Sequence, residues 1–145
     1  MKASLRLSLL CLLALTGSAI GQEASYRYDT AGVTLHGTLT QRRVHGPAGY
    51  GETPAQNAHE NILILKLPHP ISVKPAANAE ANGSPNLDPA ENVREVQLHM
   101  NRPQAVHARR LLGREVTATG TLNESITAVR RTKVWLEVKT LNSQR

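Results

Sequence analysis

Two of the three adjacent arginine pairs, Arg42-Arg43 and Arg130-Arg131, fall in segments expected to be loops. Each guanidinium offers a planar fork of donors matched to carboxylate or phosphate oxygens. If the fold brings the two pairs to one rim, they make an anion site. Tyr50 and Trp135 are the aromatic residues placed to add a stacking surface for a base or a sugar ring. The chain has no Phe, whereas binders of single-stranded nucleic acid stack successive bases on several aromatics.

The six histidines give a second, weaker pattern. His36 and His99 occupy polar positions of alternating segments, His45, His59 and His69 fall in loops, and His107 faces out of a short helix. Two or three imidazoles meeting on one face would suit zinc or copper, which favour neutral nitrogen ligands. Their spacing follows no short metal signature, ordinary surface histidines account for them better, and no metal ligand is assigned. No reaction is nominated either. The sequence has no Gly-x-Ser-x-Gly, no phosphate-cradling glycine loop, no His-Glu-x-x-His and no cysteine pair. Its eleven carboxylates are scattered. Glu115 and Glu137 fall on outward faces of neighbouring strands, where solvated ion partners explain them. No catalytic residue and no cofactor is expected.

The elements that must position these side chains are mostly strands. Val33, Leu35, Gly37 and Leu39 alternate with Thr34, His36, Thr38 and Thr40, the period-2 pattern of a half-buried strand. A polar Gly- and Pro-rich loop is expected over Gln41–Glu60. Asn61–Leu67 is apolar on both faces, which predicts a central strand, bent at Pro68 and Pro70 before Ile71-Ser72-Val73. Lys74–Asn92, rich in Pro, Ala and Asn, is expected to be a flexible surface loop. Val93–Met100 is the third strand, with Glu95, Gln97 and His99 outward. Pro103 suits a first helical turn and Gly113 the residue that ends the helix, with Arg109 and Arg110 favouring the dipole in its last turn. Val116, Ala118, Gly120 and Leu122 face in along a fourth strand, and Val134, Leu136 and Val138 along a fifth.

Three strands, a helix and two strands is the element order of the five-stranded Greek-key barrel called the OB-fold. The expected fold is therefore mainly β, a small OB-like barrel with one short helix between strands three and four. The rival is another small open sheet with one helix. In the barrel, the loops after strand one and before strand five share a rim, so both arginine pairs converge there.

The first residues read as a leader. Lys2 and Arg6 precede the apolar run Leu7–Leu15, and Ala19 and Gly21 stand where a signal peptidase reads. Residues 1–21 are expected to be a signal peptide and residues 22–145 a single domain. The apolar run is too short for a permanent span, which needs roughly 20 residues. Losing Lys2 and Arg6 lowers the formal charge of +6 by two and leaves a mildly basic domain. The same cut removes Cys11, the only cysteine. The expected address is the periplasm or the medium outside a bacterial cell.

Four blocks carry a resemblance: VTLHGTLT (Val33–Thr40), ILKLPHPISV (Ile64–Val73), NVREVQL (Asn92–Leu98) and LLGREVTATGTL (Leu111–Leu122). In that combination the chain resembles domain-of-unknown-function family 4431, small secreted bacterial proteins, over nearly the whole mature length. Members typically carry a histidine-rich stretch where this chain has residues 127–132, and often a Cys where Ser72 stands. The resemblance implies an OB-like fold and an exported address, and no reaction.

The expected function is a non-catalytic binding or interaction module that takes an anionic or polymeric ligand at a basic rim. Its candidate surface comprises His36, Arg42, Arg43, Tyr50, His99, Arg130, Arg131 and Trp135. The alternative is a protein-interaction role, as an inhibitor, immunity factor or envelope assembly subunit, with Lys74–Asn92 ordering on the partner. An exported hydrolase is the least favoured reading. A monomer without a membrane span in the mature chain is expected.

Overall fold

The computed structural model describes residues 23–45, 59–125 and 131–144. The expected signal peptide, Tyr50 and Arg130 lie outside the described residues. Six strands form, β1 (Ala24–Arg27), β2 (Val33–His45), β3 (His59–Lys74), β4 (Ala90–His99), β5 (Glu115–Glu124) and β6 (Val134–Ser143), with helices α1 (Ala79–Asn82) and α2 (Arg102–Arg109) on either side of β4.

The hydrogen-bonded order β3-β2-β5-β6-β4 returns to β3 through the β3–β4 pairing, which closes a five-stranded barrel. The β4–β6 pair is parallel; the other four junctions are antiparallel. With α2 between β4 and β5, this is the OB-type Greek-key barrel expected from the sequence. β1 lies outside the closure, parallel to the C-terminal part of β3. The interior is filled by Leu35, Leu39, Leu65, Val96, Val116, Leu122, Val134 and Leu136, each 2% exposed or less.

Two glycines make the closure possible. At Gly37 the barrel strands cross so closely that a Cβ would run into the Lys66 carbonyl oxygen, and at Gly120 into that of Glu137. Both stand on strands where a side chain should point inward, so each marks a place where one strand lies directly over the next. A register shift beside Gly120 also advances β6, and Leu141 follows Val138 as the next buried residue.

α2 starts on a capping box. Asn101 accepts from the Gln104 amide and the Gln104 side chain accepts from the Asn101 amide, with Pro in the first turn. The helix ends earlier than its sequence pattern suggests. Arg110 is the C-cap, and a turn carries the chain to Gly113, whose φ of 78° and bond to the Leu39 carbonyl tie it to β2.

Lys74–Asn92 departs most from its expectation. It is largely irregular and exposed, as a surface loop should be, but it also packs on one end of the barrel as a cap. Ala76, Ala79 and Ala90 join the core, and Tyr28 plugs the barrel end beneath them. Asn86, 3% exposed, fastens the cap. Its side-chain amide donates to Asp29 Oδ1 (2.5 Å), its side-chain oxygen accepts from the Glu124 amide (2.7 Å), and its backbone carbonyl accepts from the Ala76 amide. Ser84 donates to the other Asp29 oxygen, and Glu124 Oε2 accepts from the Leu87 and Asp88 amides. Small alanines read as having little to bury because each contributes little area; their contribution here is close approach.

Candidate functional site

β3 carries the site because it is apolar on both faces. Leu63, Leu65 and Leu67 enter the core cluster, while Ile62 and Ile64, at 4% and 0% exposure, are buried on the opposite, outer face. The same alternation sends Thr40 and Arg42 of β2, Glu95, Gln97 and His99 of β4, and Trp135 of β6 to the outside of the barrel. Arg42 pairs with Ile62, Gln97 with Ile64 and with Trp135, so these residues share one continuous surface.

Arg42 is on a strand, not in a loop as expected. Its guanidinium bonds Glu95 on β4 at 2.6 Å, and since β3 lies between those strands the pair spans the outer face of β3. The aliphatic stem of the arginine can then lie against apolar surface while its head stays polar. Arg43 is also on β2 but, by alternation, projects to the other side of the strand, where it is exposed.

Gln97 was not singled out by sequence, yet it organises this face. Although outward, it is 5% exposed. Its side-chain oxygen accepts from the Arg131 amide (2.9 Å), and its own amide donates to the Thr132 hydroxyl, which in turn donates to the Val134 carbonyl. The entry to β6 is thereby fixed against β4. A cavity of about 370 Å³ opens at this junction, lined among the described residues by Asn92, Val93, Arg94, Glu95 and Arg131–Lys133. The lining includes three cationic residues, Arg94, Arg131 and Lys133, and one carboxylate, Glu95, which already bonds Arg42. The result is a groove with an excess of positive charge against a fixed backbone.

Trp135 is half-buried beside it. Its indole N–H donates to the Glu124 carbonyl at 3.1 Å, and its ring meets His99 edge-on with centroids 5.7 Å apart. One edge of the indole is thus committed to the protein.

Of the expected residues, Arg42, His99, Arg131 and Trp135 lie on this outer face around Gln97. His36 does not join them. It stands on β2 against β5, its Nδ1 3.0 Å from the Thr117 hydroxyl and accepting from the Gln144 side-chain amide at 2.7 Å, which leaves the ring proton on Nε2. β3 separates the strands of His36 and His99. Among the described residues no group of three His, Cys, Asp or Glu is placed to hold a metal ion. Arg94 and Lys133 lacked a sequence signal because each is a lone cation, and only the closure of β4 onto β6 makes them neighbours.

Fold and groove together define an OB-type barrel with a basic groove on its outer face. The chain matches no family model, and neither curated proteins nor solved structures give a match.

Proposed function

We propose that the protein is a non-catalytic binding module whose groove takes an anionic ligand. The observation that carries this reading is the convergence of Arg94, Arg131 and Lys133 on one cavity whose Glu95 is ion-paired to Arg42. Such an arrangement attracts phosphate, sulfate or carboxylate groups, for which guanidinium forks are matched donors. The leader expected in residues 1–21 and the resemblance to family 4431 support an exported protein that meets its ligand in the periplasm or outside the cell.

The test is a binding titration with a sulfated glycan and a single-stranded oligonucleotide at two salt concentrations. Affinity is expected to fall steeply with salt, because each neutralised anionic group releases counterions, and to fall further with Arg131→Ala plus Lys133→Ala. Salt-insensitive binding, or binding unaffected by that double substitution, overturns the reading. The alternative in which Lys74–Asn92 orders on a protein partner has less support, since that segment already packs on the barrel through Asn86.

A further inference from the structure

The outer face of α2 carries charge and apolar surface that neither the fold nor the groove uses. Helical periodicity puts Gln104, Ala108 and Leu111 on the side that meets the barrel. Ala108 and Leu111 are buried there, and the Gln104 side chain donates to the Val138 and Lys139 carbonyls of β6. The same periodicity puts Arg102, Val106, Arg109 and Arg110 on the opposite side, and all four are exposed. Val106, 55% exposed, is the centre of that face, with the three arginines around it. Beyond the helix Leu112 turns outward, 36% exposed, and exposed Arg114 follows. Among the described residues only Leu87, on the cap, is another large hydrophobic side chain as open to solvent.

Helix stability does not account for this composition. Residues 102–114 hold four arginines and no carboxylate, so the segment lacks the i, i+4 ion pairs that support a solvated helix. Arg102 is the first helical residue, where the helix dipole disfavours a cation, and the first turn has no acid to offset it. Among the described residues none of the four guanidinium groups has a hydrogen-bond or ion-pair partner.

We propose that this face docks on an anionic lipid bilayer, with Val106 and Leu112 entering the boundary between headgroups and acyl chains. Guanidinium groups around exposed aliphatic side chains complement that boundary, where lipid phosphates meet hydrocarbon. A dissolved polyanion would pair with the arginines and leave the two aliphatic side chains without a counterpart. The attachment is peripheral, since α2 has 8 residues against roughly 20 for a span. It does not rest on the groove's ligand: the groove lies where β4 and β6 begin, whereas α2 follows the end of β4.

The test is co-sedimentation with two kinds of vesicle, phosphatidylcholine alone and phosphatidylcholine mixed equally with phosphatidylglycerol. Residues 22–145 are used, because the apolar run in residues 1–21 would itself enter lipid and the closed barrel lies wholly within the part tested. The expected result is binding to the mixed vesicles that weakens with salt, and little binding to the neutral ones. Arg102→Gln plus Arg110→Gln is expected to weaken it about thirtyfold, roughly fivefold for each cation near an anionic surface. Val106→Ser keeps the charge and is expected to weaken it about fivefold through lost apolar burial. These positions are exposed, so the thermal midpoints should stay at the wild-type value. Arg131→Ala plus Lys133→Ala, in the groove, is expected to leave vesicle binding unchanged. Absence of binding to the mixed vesicles overturns the proposal, as does an equal loss with the groove pair. Undiminished binding by Val106→Ser overturns it too, because attraction would then be charge alone. A single-stranded oligonucleotide that binds equally well through Arg102 and Arg110 overturns it in favour of a dissolved polyanion.

Discussion

At the scale of single residues, the groove depends on two polar groups with opposite consequences. Gln97 holds the Arg131 and Thr132 backbone in place from a buried position. Gln97→Ala leaves the Arg131 amide unpaired, so urea unfolding is expected to show a loss of about 1–3 kcal/mol together with weaker anion binding. Glu95 acts the other way. Its pairing with Arg42 joins side chains that are 42% and 35% exposed, so it contributes little to stability, about 0–1 kcal/mol. Glu95→Gln is expected to change the unfolding midpoint only slightly while tightening anion binding, since it removes the groove's negative charge and releases Arg42. Weaker binding by Glu95→Gln in a titration would mean that the carboxylate, not the cations, meets the ligand. Half of this chemistry was legible in the sequence. Paired arginines such as Arg131 with its neighbour announce themselves, whereas Gln97 reads as one more outward polar residue in an alternating strand. Its burial comes from a chain segment 34 residues away, and period-2 patterns carry no information about such a partner.

At the scale of elements, the strands were legible and the cap was not. Alternation in β2, β5 and β6 marks one buried face directly, and the double-sided apolar run of β3 marks the strand that is covered outside as well as inside. Residues 75–89 have neither periodicity. They are held by Asn86, Asp29, Ser84 and Glu124, polar residues whose types suit loops everywhere and whose meeting is a tertiary event. Asn86→Ala removes bonds to Asp29 and to the Glu124 amide and leaves buried groups unpaired, with an expected cost of about 2–4 kcal/mol. Hydrogen exchange checks where that cost falls. The Leu87 and Asp88 amides, which donate to Glu124, should exchange much faster, while amides at the β2–β5 ladder should follow only the global loss. Uniform acceleration would mean that cap and barrel unfold as one unit. Gly37→Ala tests the barrel in the same way. A methyl driven into the Lys66 carbonyl has no flexible neighbour to displace, and destabilisation of about 3 kcal/mol or more is expected.

At the scale of the whole molecule, the barrel end joins the N-terminal segment, the cap and the β5–β6 junction around one phenol. The Tyr28 amide donates to Lys74 at the end of β3, and the Asp29 amide donates to Leu122 on β5. Burial first, then the charges of Glu124 and Asp88, push the Tyr28 hydroxyl up from its ordinary 10 to about 12. The sign of the linkage follows from which state holds the proton. Below pH 10 both states keep it, and the fold has its full stability. Between pH 10 and 12 the unfolded chain gives up its proton while the folded chain retains it, so ionisation favours unfolding and stability declines through that window. A tenfold difference in ionisation constant between the two states is worth roughly 1.4 kcal/mol, which makes the loss about 2–3 kcal/mol by pH 12. Other groups that titrate at alkaline pH act on any form of the chain, so the measurement is a difference: urea unfolding of the wild type and of Tyr28→Phe from pH 8 to 12. At pH 8 the variant is expected to match or exceed the wild type, because it loses only a buried hydroxyl that has no partner. As pH rises the wild type should lose stability faster, and the gap between the curves should open between pH 10 and 12. Parallel curves would show that the phenol ionises as freely in the fold as in the open chain, and hence that the barrel end admits water. An opening gap would show a sealed end whose plug holds an unpaired hydroxyl at the cost of stability.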